Sequence, residues 1–326
     1  MTGQAKTTPV EALRAEAGVY SYKTVSNRLC VRAHEKAVRL PADHPKNLAV
    51  CGSNQHRLQR SSWREQATHL LDSLPSELKD RQPMSLLQIP PWIRYAASWR
   101  VFTDIKGTGR AADYETLKNE TFRCIESHMP ALTLYTDGSA SDGTFDGGAA
   151  VVITSGPARS PTVVEVWKRR GSPLTCSFEE EKEAMSMAVQ WIISNESEDT
   201  VVICSDSQSL LKAIASESDE TSDIIAKLLQ VKGYVVIQWV PGHMDIPGNE
   251  AADQAAKAAA TITEDPPRPV SLASALSCVS RSIQDMPIEH PRTALVYKKF
   301  NQAKDQAEVK SCKDAVFLAP VHSVTV

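Results

Sequence analysis

Asp137, Glu181, Asp206 and Asp253 are the residues of this 326-residue chain whose types and local sequences best suit chemistry. Asp137 closes a β-prone run in Tyr135-Thr136-Asp137-Gly138-Ser139-Ala140, where Gly138 would let the chain turn beside a ligand without a Cβ. Asp206 follows the apolar run Val201-Val202-Ile203-Cys204. Glu181 falls in the first turns of a long helical pattern, and Asp253 one turn into an alanine-rich one. Carboxylates suit hard divalent cations such as Mg²⁺, and a pair of such ions hydrolyses phosphodiesters by in-line attack of water. Taken singly, an Asp at a strand end is as often a turn or cap residue, and a helical Glu is usually solvated.

The elements that must position these acids are legible in the periodicity. β-prone runs occupy 132–136, 149–153, 162–167, 201–204 and 234–240. A helical pattern covers 177–193, with apolar or small residues at 184, 185, 188, 189 and 192. Ser177 is suited to cap it, and Glu179 to Glu181 suit its first turn. Two shorter helices are expected at 207–216 and 220–231, and a last one from Pro247 to Ala260. Three strands, then helix–strand–helix–helix–strand–helix, predict an α/β fold with a five-stranded mixed sheet flanked by helices. The flanks are expected to be partly ordered extensions. Residues 1–50 hold two helical stretches (10–17 and a basic one at 26–40), and 51–130 read as a linker with short elements. The central domain spans 131–262, closed by Pro266-Pro267-Arg268-Pro269, and 263–326 form a tail with one more helix near 271–282.

Composition limits the function classes. No apolar run reaches the ~18–20 residues of a membrane span, and the polar start lacks the apolar core of a signal peptide. The seven cysteines are odd in number with no CxxC pair, so reduced, intracellular residues of a soluble protein are expected. Net charge is −3, but it is unevenly spread: +6 over residues 1–130, −10 over 131–260 and +1 over 261–326. So acidic a centre repels phosphates unless cations neutralise part of it.

The strings Thr136-Asp137-Gly138-Ser139-Ala140, ExxAxxxA from Glu181, Asp206-Ser207-Gln208-Ser209-Leu210-Leu211-Lys212-Ala213-Ile214 and PGHxxIxGNExAD from Pro241 occur in this order. In order and spacing they resemble the type 1 ribonuclease H domain, most closely the version carried by non-LTR retrotransposon polyproteins. The resemblance covers residues 132–260. It implies a five-stranded mixed sheet, an RNA–DNA hybrid as partner, and two Mg²⁺ ions, with Mn²⁺ as a substitute. The implied metal ligands are Asp137, Glu181, Asp206 and Asp253, with Asp137 bridging both ions. His243 is the implied loop histidine for proton transfer or product departure. Gly138, Ser139, Ser177, Gln208 and Asn249 are the candidate substrate contacts, although capping alone would explain Asn249.

Among the competing acids Glu179, Glu180, Glu181 and Glu183, the family pattern selects Glu181, three residues before Ala184 on the face with Ala188. Glu180 would point about 100° away around the helix, and the others read as surface or helix-dipole charges. The basic handle of some family members is replaced here by Ser216-Glu217-Ser218-Asp219-Glu220, with the basic stretch from Arg28 to Lys46 as a compensating grip. No [FY]-x-D-D polymerase signature is present, so polymerisation is not expected of this chain alone. The flanks at 9–18, 39–41 and 285–300 resemble segments around the nuclease in such proteins, which implies a C-terminal fragment of a longer element protein. The contrasting expectation is a domesticated copy that binds nucleic acid or a partner without cutting; an integrase-like DNA nuclease is a third.

Overall fold

The structure, a computed structural model, describes residues 22–52, 62–84, 99–105, 113–264 and 266–284. The expected helix at 10–17 and the tail beyond 284 lie outside the described residues. The chain divides into two compact units. Among the described residues, one comprises 22–34, 62–74 and 279–284, and the other comprises 35–52, 75–84, 99–105, 113–264 and 266–278.

The smaller unit has a modest core of Val31, Ala67, Leu71 and Val279. Val31 belongs to α1 (Tyr22–Val38), the basic helix anticipated at 26–40. Ala67 and Leu71 belong to α3 (Trp63–Asp72), whose start is fixed by a capping box between Ser62 and Glu65. A short helix, α2 (Pro45–Cys51), lies between them in sequence.

The larger unit is built on a six-stranded sheet of order β1-β6-β5-β2-β3-β4. Its strands are β1 (Trp99–Phe102), β2 (Leu132–Ser141), β3 (Phe145–Ser155), β4 (Thr162–Arg170), β5 (Thr200–Ser205) and β6 (Tyr234–Trp239). β1, β6, β5 and β2 run parallel, while β3 is antiparallel to both β2 and β4. The five anticipated strands are all present. The sixth, β1, adds a parallel edge strand within the segment read as a linker. Four residues are too few to show alternation, and their register with Val235 to Gln238 is set by the neighbouring strand.

The helices of this unit are α4 (Tyr114–Ser127), α5 (Ser177–Ser194), α6 (Gln208–Ala215), α7 (Ser222–Leu228), α8 (Pro247–Ala260) and α9 (Leu272–Gln284), the last extending past the unit's boundary. β2, β3, β5 and β6 bury both faces and read as apolar runs, whereas the edge strand β4 is largely exposed. Leu134, Val151, Ile153, Ile203 and Ile237 join Ala184, Met185 and Ala188 of α5 with residues of α6 and α7. Tyr135, Val152, Val202 and Val236 face the other way, joining Ala252 and Ala256 of α8 with Phe122 and Ile125 of α4.

Two close backbone approaches shape this packing. A Cβ on Gly148 of β3 would lie 2.3 Å from the Ala256 carbonyl oxygen and 2.4 Å from the Ala260 nitrogen, so α8 rests directly on the strand. A Cβ on Gly138 of β2 would lie 2.2 Å from the Glu181 nitrogen. Gly138 therefore does not turn the chain, as its position after Asp137 suggested. It stays within β2 and gives room to the first turn of α5.

Candidate metal centre

The topology explains how acids far apart in sequence meet. The parallel pairing of β2 with β5 ends at Thr136 opposite Ser205, so Asp137 and Asp206 are the next residue on each strand. Asp137 is not the last residue of its strand, as expected, because β2 continues against β3 through Asp137 opposite Ala150 and on to Ser141. The crevice at the carboxyl ends of parallel strands is where α/β sheets receive ligands. The first turn of α5, seated on Gly138, brings Glu181 to the same place.

Ligand oxygens of Asp137, Glu181 and Asp206 lie within 4.8 Å of one another. Asp137 is 7 % and Glu181 8 % exposed, values rare for unpaired acids. The Glu181 Oε2 atom is buried with no hydrogen-bond partner. Its carboxylate accepts from the Gly138 amide, yet burial and the nearby Asp137 and Asp206 charges drive its pKa well above the usual range. Burial, then Asp206 and Asp253, push Asp137 up to about 7. Burial also raises Asp206, opposed by a hydrogen bond from the Asn249 side chain and by the His243 charge. Buried like charges with an orphaned oxygen are costly on their own and are relieved by a hard cation. The donor set, all oxygen, fits Mg²⁺ or Mn²⁺.

Asp253 stands beside this trio rather than within it. Its charge raises both Asp137 and Asp206, but its carboxylate pairs with Lys257 one turn later in α8, at 2.6 Å. The (i, i+4) spacing of Asp253 and Lys257 is visible in the sequence and is the signal by which that partner is found.

The other acids of α5 depart from expectation. Glu180 is fully buried and bonded to Thr175 and Arg268; Glu179 is buried and paired with Lys182 at 3.0 Å; Glu183 pairs with Arg169 at 2.7 Å and Arg268 at 3.0 Å. Glu179 and Glu180 are not surface charges, because this turn of the helix is covered by β2, β3 and the segment around Arg268, whereas Glu183 is half-buried and paired with the exposed Arg169. Ser177 is exposed and is the first residue of α5 rather than its cap, which is Cys176.

His243 is exposed on the loop before α8 in a left-handed conformation, φ 55°, as is Asp245 at φ 49°. The loop is tethered from α4: the Tyr114 hydroxyl donates to Asp245 Oδ2 at 2.7 Å and Lys118 lies 3.6 Å from the same oxygen. Nothing in the sequence pairs Tyr114 with Asp245, 131 residues apart. Asn249 is the third residue of α8, whose cap position is Ile246, so it does not cap that helix and instead holds Asp206. Ser139 is half-buried in β2 opposite Gly148. The Gln208 amide donates to the Thr103 carbonyl at 2.8 Å and accepts from Lys212 at 2.9 Å, so reaching a substrate means giving up those bonds.

Residues 129–261 match the RNase H family model and are a ribonuclease H domain. The chain is similar to the Pol polyproteins of equine infectious anemia virus isolates 1369 and CL22, each 29 % identical over 141 residues, 41 % of this chain. It spans 11 % of the length of those relatives. Among solved structures it is similar to the foamy viral protease-reverse transcriptase in complex with dsDNA (20 % identity, 41 % of this chain and 96 % of that one, TM-score 0.35). It is also similar to RNase H1 from the halophilic archaeon Halobacterium salinarum NRC-1 (21 % identity, 39 % and 96 %, TM-score 0.32). No described helix is long and apolar enough to cross a membrane.

Proposed function

We propose that this protein hydrolyses the RNA strand of RNA–DNA hybrids with two divalent cations held by Asp137, Glu181, Asp206 and Asp253. The observation that carries this reading is the buried trio of carboxylates with its orphaned Glu181 oxygen, inside a ribonuclease H domain. Bound there, a pair of Mg²⁺ ions would activate the attacking water and stabilise the leaving 3′ oxygen, giving 5′-phosphate and 3′-hydroxyl ends.

The chain's own residues set the stage for that chemistry. Asp137 and Asp206 are fixed where the parallel pairing of β2 with β5 ends, and the Gly138 amide orients Glu181. The Asn249 side chain orients Asp206. His243, exposed on its tethered loop and electrostatically coupled to Asp206, is the group suited to carry a proton to or from the departing product. Contacts at Gly138, Ser139, Ser177, Gln208 and Asn249 would read the hybrid, with 2′-hydroxyls distinguishing RNA from DNA. The wider context is a retroelement polyprotein. The viral relatives support an association with reverse transcription, and the sequence motifs favour the non-LTR retrotransposon type.

The test is a hybrid-cleavage assay with Mg²⁺ beside an Asp137→Asn variant. Cleavage by the native chain is expected to stop with chelator and to fall by more than about 10³-fold in the variant, the scale of losing a central electrostatic contributor. Undiminished cutting by Asp137→Asn removes the mechanism. A second reading, a catalytically weak or inactive copy that binds nucleic acid or a protein partner, draws on the acidic connection containing Glu217, Asp219 and Glu220, which weakens the grip on phosphate that efficient cutting needs. Metal-independent hybrid binding with no cleavage would select it.

A further inference from the structure

A second buried acid lies next to the cluster and is not explained by it. Glu180 is 0 % exposed. Thr175 Oγ1 donates to its Oε1 at 2.5 Å, and Arg268 pairs with its Oε2. The same guanidinium reaches Glu183 at 3.0 Å, and the Arg268 amide donates to the Gly171 carbonyl at 3.2 Å, which fixes the backbone from which it reaches in. Glu180 fills a space kept open by two glycines: a Cβ on Gly147 or Gly171 would lie 2.3 or 2.6 Å from its carboxylate oxygens. Gly138 presses on the same turn, where a Cβ would lie 2.3 Å from the Glu180 carbonyl carbon and 2.2 Å from the Glu181 nitrogen. Glu180 is thus the plug that seats the first turn of α5 on the sheet.

A carboxylate is stable in such a place only when paired and hydrogen-bonded, and removing the partner of a buried ion pair is strongly destabilising. Arg268 is the cation that makes this plug tolerable. Without it the turn relieves the uncompensated charge by lifting, and Glu181, the next residue, moves with it. Arg268 lies beyond residues 129–261, the segment that matches the ribonuclease H family. We propose that Arg268 is a positioning residue for the metal centre: paired with Glu180, it holds the first turn of α5 against Gly138 and so sets the Glu181 carboxylate among the ligands. The proposal rests on the reading of the acidic cluster as a divalent-cation site.

The test uses the full chain and Mn²⁺ alone, read by the rise in melting temperature on titration and by calorimetric titration, with hybrid cleavage followed alongside. Arg268→Met is expected to raise the half-saturating Mn²⁺ concentration about tenfold, the lower end of what outer-sphere partners of metal ligands cost. The double variant Glu180→Met/Arg268→Met removes both charges and keeps the volume. It is expected to recover Mn²⁺ affinity to within about threefold of the native chain, well inside the loss expected for an outer-sphere partner. Native Mn²⁺ affinity in Arg268→Met overturns the proposal, and so does a double variant as weak as the single one. Should Arg268→Met fail to fold, the double variant decides alone: folded with native Mn²⁺ affinity it supports the role, folded without it the role is refuted. A native chain with no Mn²⁺ response overturns the metal reading and this proposal together, whereas loss confined to Arg268→Met bears on Arg268 only.

Discussion

Asp137 shows most directly what the site costs the protein when no cation is bound. Its folded pKa lies near 7, above the ordinary carboxylate value, and Glu181 and Asp206 are raised with it. The folded chain then keeps protons that the unfolded chain has already released, so stability falls as pH rises between about 4 and about 7. In chelator, the native chain is expected to melt at a lower temperature at pH 8 than at pH 5, with Asp137 contributing on the order of 2–4 kcal/mol of the difference. Asp137→Asn should flatten that dependence and melt higher than the native chain at pH 8. A native chain that is equally stable at both pH values would show that the acids do not press on one another. The sequence singled out these acids because each sits in a distinctive local string. It did not identify the fates of Glu179 and Glu180, since a helical pattern tells which face an acid occupies but not which distant segment covers that face.

At the scale of elements, the strands from 132 on and the helices from 177 to 260 were legible because each carries an apolar run or stripe with a clear period. The helix α4 and the strand β1 were not. α4 buries only Thr121, Phe122 and Ile125, too sparse a stripe to stand out among polar residues, although Asp113 caps it through the Thr116 amide. Its value to the molecule is positional: Tyr114 and Lys118 hold the loop that carries His243. Tyr114→Phe removes one exposed hydrogen bond, so it should cost about 1 kcal/mol or less of stability. Amide exchange at residues 242–246 should nevertheless accelerate, and unchanged exchange there would refute the tether. Gly148→Ala is the contrasting case. The added methyl meets the α8 backbone at 2.3 Å, so helix and strand must separate, with an expected loss of about 2–3 kcal/mol measured by denaturant unfolding. Because α8 carries Asp253 and Asn249, Mn²⁺ affinity should fall in the same variant.

The larger unit as a whole is joined by contacts that a reading by local pattern does not reach. Glu35, fully buried at the end of α1, accepts from Arg39 and from Arg81, the latter at 2.8 Å. Arg39, 3 % exposed, donates onward to the carbonyls of Val270 at 2.5 Å and Gln82 at 3.2 Å. The Val270 amide donates to the Asp80 carbonyl and its own carbonyl accepts from the Gln82 amide. Residues 35–39, 80–84 and Val270, which lie outside residues 129–261 in sequence, are thereby one hydrogen-bonded assembly within this unit. Burial lowers the Arg39 pKa while Glu35 opposes it, and the buried positive charge is tolerated because its partners are in place. The basic stretch that was read as a phosphate grip thus has one of its arginines committed to the interior. Arg39→Met takes one partner from the buried Glu35 and one donor from each of the Val270 and Gln82 carbonyls. The expected loss is about 3–5 kcal/mol, the cost of breaking a buried pair from one side. Arg28→Met, measured in the same melting experiment, should cost less, because the half-buried Arg28 guanidinium donates to the Ser280 carbonyl, a hydrogen bond worth less than a fully buried ion pair. Equal, small losses from both substitutions would mean that the assembly around Val270 forms without Arg39.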